Sequence, residues 1–347
     1  MPIAPLTPLR LVLSIDVEEE GLFAQEYQCR NPSVSNVAHL TRLLPLIRES
    51  GIPLTLFCDH AVFTNVEACR AIAHLRDAYG AEVGAHLHHW NTPPLQDDRP
   101  CVHGSAAVST ALVPEARMRE KLQSLFAAGE AFQGAPLYSF RMGRWDMRRE
   151  HWPLLADLGV GADASVRPLH CGYARPTSTV PAPPDHFAAP REPYLVRVEG
   201  REIFECPLTT TPLVPGIPHW AACLRASGWP GAGKLRASVQ KWGGLTLLPV
   251  YQPLWLLKLC TRAHVRAGGR TLSLTWHSSE MMPQGAPHMP SAQSVDAFMH
   301  KMRAYVRWLY ATWPVEALTL HDLSVQDRAL CPVADSRAFS PSVDWTF

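Results

Sequence analysis

The chain has 347 residues, 47% of them hydrophobic and 18% charged, enough apolar material for a large buried core and too much for a mostly disordered protein. A formal net charge of +1 excludes a dedicated nucleic-acid binder, because neutralising phosphates requires a surplus of Lys and Arg. Nine cysteines scattered from Cys29 to Cys331 without a CxxC pair predict reduced, mostly buried thiols and a cytoplasmic location. Three prolines in Met1–Arg10 and an Asp inside the run that follows argue against a leader peptide. No uninterrupted apolar run reaches the roughly 18 residues of a spanning helix.

In chain order, Arg10–Val17 (RLVLSIDV) is aliphatic and β-branched and reads as a strand, and Val34–Ser50 repeats apolar residues at helical spacing. Pro53–Cys58 is strand-like, Val62–Tyr79 helical and Ala81–His86 strand-like again. A helix over Glu115–Phe132, a strand at Leu137–Arg141, a helix over Asp146–Leu158 and a short strand at Gly161–Ser165 continue the rhythm. Late in the chain, strands at Thr271–Trp276 and Glu316–Leu320 flank a helix over Ser294–Tyr310. Strands alternating with helices of this length imply parallel βαβ units, and about seven such units predict a barrel over residues 1–325.

The stretch 169–269 breaks this alternation and reads as a large insertion. Pro176–Pro193 is a proline-rich loop and Tyr194–Cys206 a hairpin. Between Cys206 and Ser279 there is no Asp or Glu, against eight cations: Arg225, Lys234, Arg236, Lys241, Lys258, Arg262, Arg266 and Arg270. Leu245–Leu259 adds Tyr251, Trp255 and several leucines. Two readings stay open: a peripheral membrane contact through an interfacial segment, or a buried helical hairpin with a basic rim. Residues 326–347 read as a terminal extension with little core.

Four strand ends carry reactive groups. Asp16 and Glu18 close the first strand, and their i, i+2 spacing puts both carboxylates on one face if the chain stays extended. In α/β barrels, catalytic groups occupy the C-terminal strand ends, so one carboxylate can hold a cation while the other takes a proton from water. A solvated acidic turn is the plain alternative for SIDVEEE. His86, His88 and His89 follow the strand AEVGAH; an extended chain brings His86 and His88 to one face, whereas an immediate turn pairs His86 with His89. Two imidazoles and a carboxylate make an open metal site. Arg141 can pair with Asp16, with Arg144 and Trp145 in the following loop as substrate contacts, Trp145 offering a flat face on which a sugar stacks. His277, after TLSLTW, can donate a proton to a leaving amine.

Taken together, SIDVE (14–18), GIPLTLF (51–57), AEVGAHLHHW (81–90), SFRMGRW (139–145), LGVGADASVRP (158–168) and LTWHS (274–278) resemble NodB-type polysaccharide deacetylases, carbohydrate esterase family 4. The match is nearer to a branch with D-V-E and H-L-H-x-W motifs, and it spans about residues 10–325, with 169–269 poorly matched. The resemblance implies an irregular (β/α)7 barrel that removes N-acetyl, or less often O-acetyl, groups from amino sugars with a divalent metal ion, zinc first; the basic, acid-free segment adds the expectation of a lipid-linked or anionic saccharide met at the inner membrane surface. The resemblance places Asp16 as base, Glu18 and His86 as metal ligands, Arg141 as the residue orienting the base and His277 as acid. Asp163 corresponds to an acidic residue supporting that histidine. One departure concerns the second metal histidine: the commonest family position is Trp90 here, so the ligand falls to His88 or His89, and the H-x-H of the nearer branch favours His88. Trp90 is then read as a substrate contact. Two rival functions remain at this level: a binding protein on a degenerate deacetylase scaffold, and a metal-independent hydrolase of a small cyclic amide.

Overall fold

The computed structural model describes residues 8–95, 100–170, 184–187, 189–214, 231 and 244–335. One sheet holds, in chain order, β1 (Leu9–Val17), β2 (Leu54–Cys58), β3 (Glu82–Leu87), β4 (Ser139–Met142), β5 (Ala162–Asp163), β6 (Tyr194–Val198), β7 (Arg201–Glu205), β8 (Thr271–His277), β9 (Val315–Ala317) and β10 (Val333–Asp335). Their spatial order is β8-β1-β2-β3-β4-β5-β7-β6-β10, with β9 beside β1. From β8 round to β7 every neighbouring pair is parallel, which gives the seven-stranded (β/α) barrel expected from the alternation. The ring closes irregularly. Where β7 runs on towards β8, Thr209 N–H donates to Ser273 O at 3.2 Å and Ser273 N–H to Thr209 Oγ1 at 2.8 Å.

Burial explains the strand sequences. Leu11, Leu13, Ile15 and Val17 of β1 are all at most 1% exposed, and the intervening Val12, Ser14 and Asp16 are buried as well. A parallel strand covered on both faces requires such a near-continuous apolar run rather than strict alternation. Gly84 lies in β3 because a Cβ there would stand 2.3 Å from Ser139 Oγ and 2.9 Å from the Phe57 ring.

The helices that follow the strands are α1 (Leu44–Ser50), α2 (His60–Phe63), α3 (Val66–Tyr79), α4 (Glu115–Gln133), α5 (His151–Asp157), α6 (Leu254–Arg266), α7 (Ala292–Thr312) and α8 (Leu320–Asp327). Several boundaries differ from the periodicity for local reasons. The expected helix over Val34–Ser50 begins as a 3-10 stretch, Ser35–Leu43, and becomes α-helical where Pro45 enters the first turn. The Val62–Tyr79 helix is two pieces, because Asn65 caps α3 by accepting from Ala68 N–H at 2.9 Å. The strand expected over Glu316–Leu320 ends at Ala317, since Thr319 caps α8.

The hairpin expected at Tyr194–Cys206 is present as β6 and β7, turning through Glu199 (φ 48°) and Gly200 (φ 84°). Two left-handed residues match the twist of the flanking strands. Of the 169–269 stretch, the proline-rich loop falls largely outside the described residues, as do Arg225, Lys234, Arg236 and Lys241. Leu245–Leu259 divides into a short strand, Gly244–Thr246, paired with Thr210–Pro212, and the start of α6. The final stretch is less peripheral than its sequence implies: β10 pairs in parallel with β6, and Ala334 is 1% exposed.

Candidate metal centre and active site

Strand register brings the four motifs to one rim. Asp16 in β1 lies beside His277 in β8 and Phe57 in β2, and His86 in β3 lies beside Arg141 in β4. These are the C-terminal ends of parallel strands, where the packed interior gives way to loops. They surround a cleft of about 110 Å³, enough for a few waters or a small acyl group. Leu22, Phe23, Tyr27, Arg144 and Trp145 form its outer walls.

At the floor, Glu18, His86 and His88 place three ligand atoms within 4.8 Å of one another. Glu18 Oε2 is 3.2 Å from His86 Nε2 and 3.4 Å from His88 Nε2. The opposite ring nitrogens settle the tautomers. His86 Nδ1 faces the Arg141 carbonyl at 3.0 Å, which can only accept, so it carries the proton and leaves the Nε2 lone pair on the cleft. His88 Nδ1 donates to Glu19 Oε2 at 2.6 Å, with the same consequence. Burial lowers both histidines below their ordinary values, His88 to about 4, so both imidazoles are neutral at physiological pH. Two lone pairs and a carboxylate pointing at one another are mutually repulsive unless a proton or a cation lies between them. Burial raises the Glu18 carboxyl to about 7 despite His277 and His86, the response of a carboxylate lacking a full counter-charge. The donor set therefore fits a divalent ion, and the second-layer bonds to the two histidines are those that orient imidazole ligands.

His89 is not part of this group. Its Nε2 donates to Val108 O at 2.9 Å on the other side of the loop, so the chain continues extended through His88 before turning. Trp90, expected at the substrate, is 7% exposed and stacks on the His88 ring at a centroid distance of 4.3 Å. Its Nε1–H donates to Glu19 Oε1 at 2.7 Å, so it braces the carboxylate that braces His88.

Asp16 lies beside the ligand trio and is held by Arg141. The guanidinium donates to Asp16 Oδ1 at 2.5 Å, Thr275 Oγ1 at 2.8 Å, Ser14 Oγ at 2.9 Å and Ala164 O at 2.9 Å, and packs over the Phe57 ring at 4.3 Å. Burial alone would raise the Asp16 carboxyl, but Arg141, His86 and His277 outweigh it and the net shift is downward. Asp16 is thus ionised, with Oδ2 left towards the cleft, 3.8 Å from His277 Nε2.

His277 is oriented by a residue the sequence reading missed. Glu280, fully buried, accepts from His277 N–H at 2.8 Å and lies 3.0 Å from its Nδ1, while Glu280 Oε1 is 2.6 Å from His288 Nε2. Burial would lower the His277 pKa, yet Glu18, Glu280 and Asp16 raise it to about 10, so the ring is a cation with Nε2–H facing the cleft. The support expected from Asp163 is a correction: Asp163 accepts from Ser165 Oγ at 2.6 Å and contacts Glu205, away from His277. Glu280 follows His277 at i+3, where a strand runs into a short helix, a spacing that reads as ordinary capping. Glu19 and Asp59 were missed too; Asp59 accepts from Glu19 N–H at 3.1 Å and lies 4.0 Å from His88 Nδ1. Arg144 and Trp145 both have left-handed backbones, φ 59° and 58°, which fold the loop after β4 over the cleft. Non-glycine residues in that region cost of order 1–3 kcal/mol and cluster at functional loops.

No protein-family model matches the sequence, and no curated protein does either. Among solved structures, one from Mycobacterium smegmatis described as a polysaccharide deacetylase is similar over 95% of both chains, with TM-score 0.56 and 17% identity. A structure from Parabacteroides distasonis described as a glycoside hydrolase/deacetylase matches 94% of this chain and 72% of its own, with TM-score 0.57 and 12% identity. PuuE allantoinase matches 94% of this chain and 92% of its own, with TM-score 0.51 and 14% identity. The fold is therefore that of the NodB-like deacetylases and their relatives.

Proposed function

We propose that the protein is a metal-dependent deacylase that removes N-acetyl, or O-acetyl, groups from a saccharide. The observation that carries this reading is the convergence in one cleft of three ligand atoms, the Asp16 carboxylate held by Arg141 and the His277 ring held by Glu280. Glu18, His86 and His88 would hold the ion; their nitrogen and oxygen donors suit zinc. A divalent ion supplies there a lowered water pKa, near ~7, and a polarised acyl carbonyl. Asp16, kept anionic by Arg141, takes the proton of the attacking water through Oδ2. His277 gives its Nε2 proton to the departing sugar nitrogen, which would otherwise leave as an unstable anion. A backbone N–H of the Gly143–Trp145 turn is the proposed donor to the developing oxyanion. Trp145 and Arg144, on the cleft wall, are the proposed substrate contacts. Buried thiols at Cys58, Cys206 and Cys260 support a reducing compartment, the cytoplasm. Among the described residues no helix is long and apolar enough to cross a membrane.

The similarity to the allantoinase structure supports one competing reading, metal-independent hydrolysis of a cyclic amide. Acetate release from N-acetylated chito-oligosaccharides by zinc-loaded protein separates the two. The proposal predicts release that a chelator abolishes and that Asp16→Asn lowers about a thousandfold or more while thermal unfolding stays cooperative. Full activity of Asp16→Asn contradicts the assigned base, and chelator-resistant hydrolysis of allantoin supports the rival.

A further inference from the structure

Helix α6 has two unlike faces. Leu257, Cys260, Thr261 and His264 are at most 2% exposed and pack inward. At 100° per residue, Trp255, Leu259, Arg262 and Arg266 fall on the opposite side, at spacings of four, three and four residues. Trp255 is 64% exposed and Leu259 41%, and Tyr251, just before the helix, is 55% exposed. The outward stripe therefore begins aromatic and aliphatic and ends cationic. Lys258 flanks it, and Lys258 and Arg262 are each placed over the Trp308 ring, at 5.3 and 5.1 Å. Large exposed apolar side chains are individually unremarkable on a protein surface, but three in one row with an adjoining basic end are an amphipathic pattern.

Charge selects the partner. The whole stretch from Cys206 to Ser279 contains eight cations and no acid, in a chain whose net charge is +1, so the rest of the molecule is negative by seven. An acidic protein surface would pair with the cations but leave Trp255 and Leu259 unburied. A bilayer with anionic headgroups accommodates both: indole, phenol and leucine enter the interface while Lys and Arg meet phosphates.

The stripe is also continuous with the cleft. The Tyr251 ring lies 4.9 Å from the His288 ring, His288 bonds Glu280, and Phe23 of the cleft wall packs on both His288 and His277 at 5.3 and 5.2 Å. We propose that the Tyr251–Trp255–Leu259–Arg262–Arg266 face docks the protein peripherally on an anionic lipid surface, with the mouth of the cleft beside the headgroups. Its substrate would then be a saccharide carried on a lipid, a point that rests on the deacylase reading, whereas the docking does not.

Co-sedimentation of the full chain with vesicles of phosphatidylcholine alone, or of phosphatidylcholine and phosphatidylglycerol in equal parts, tests this. Binding is expected to the anionic vesicles, to weaken with salt, and to fall about tenfold or more when Trp255→Glu and Leu259→Glu are combined. Arg262→Glu with Arg266→Glu should reduce it similarly. Because all four residues are on the surface, unchanged thermal unfolding of these variants is expected and shows that folding is not the cause. Asp16→Asn should bind vesicles like the wild type, so loss of the catalytic reading leaves the docking result intact. Absence of binding to anionic vesicles, equal binding to neutral ones, or binding undiminished in both double variants overturns the proposal.

Discussion

Arg141 ties three strands together at the rim: its own β4, β1 through Asp16 and Ser14, and β8 through Thr275. A buried guanidinium with four donors satisfied has a fixed direction, and the carboxylate it holds acquires one as well. Glu280 does for His277 what Arg141 does for Asp16, with opposite charge. The consequence is testable in the pH dependence of turnover. His277 acts when protonated, so kcat/KM falls on the alkaline side as its ring loses the proton. Glu280→Gln keeps a hydrogen-bonding side chain and removes one of the negative charges that raise the His277 pKa, so the alkaline limb should move to lower pH. A limb left in place would show that Glu280 shapes the loop without tuning the histidine. The convergence of Asp16, Glu18, His86, Arg141 and His277 at one rim was legible because each stands at or next to the end of a recognisable strand. The sequence did not disclose Glu280, Glu19 or Asp59. Glu280 is separated from its histidine by a turn that looks like capping, Glu19 sits inside an acidic run, and Asp59 shows only its cap on α2.

At the level of elements, the close approach of the β3 and β4 loops sets the position of the second histidine. Gly143 follows β4 with no room for a side chain: a Cβ there would lie 2.4 Å from His88 Cδ2 and 2.5 Å from Leu87 O. One of these neighbours is backbone, so the methyl must push His88 or part the strands. Gly143→Ala should therefore keep a cooperative fold but weaken zinc binding about tenfold or more, measured by competition with a chromogenic chelator. Unchanged affinity would mean that the loop adapts without moving the ligand. Element types were well encoded, since β1 is a short aliphatic run rich in β-branched residues and β8 alternates Leu with Thr and Ser, a strand period. The breaks were not, because Asn65 and Thr319 act through single capping hydrogen bonds that leave the apolar period almost undisturbed. The pairing of β10 with β6 was likewise hidden: three residues, Val333–Asp335, give no periodicity to read, and their strand character comes from the edge they meet.

The whole molecule buries several histidines outside the metal site in neutral form. Burial lowers His89 to about 4, His151 to about 3 and His186 to about 4, each below the ordinary value of 6.5. With the folded pKa depressed, the unfolded chain binds more protons in the interval between the two values. Stability from this source is complete above about pH 6.5 and declines as pH falls towards 4, each unit of difference corresponding to about 1.4 kcal/mol per group. The buried Glu18 carboxyl, itself raised to about 7, titrates in the same interval with the opposite sign, so the histidine contribution is read as a difference: the urea midpoint of His151→Gln should fall less between pH 7 and pH 5 than that of the wild type. Equal falls in the two proteins would mean that this ring is accessible to protons in the folded state. On the same scale, the seven-stranded ring was legible from the alternation of strands and helices, whereas its closure through Thr209 depends on a side chain meeting a distant strand, which no local pattern encodes.

A single cation at Glu18, His86 and His88 would lie beside the proposed base, Asp16. Calorimetric titration of zinc into metal-free protein, with His88→Ala and His89→Gln compared side by side, tests that arrangement most directly. One site per chain is predicted for the wild type and for His89→Gln, and its loss in His88→Ala. Stoichiometric binding that survives in His88→Ala and disappears in His89→Gln, or no binding by the wild type, would contradict it.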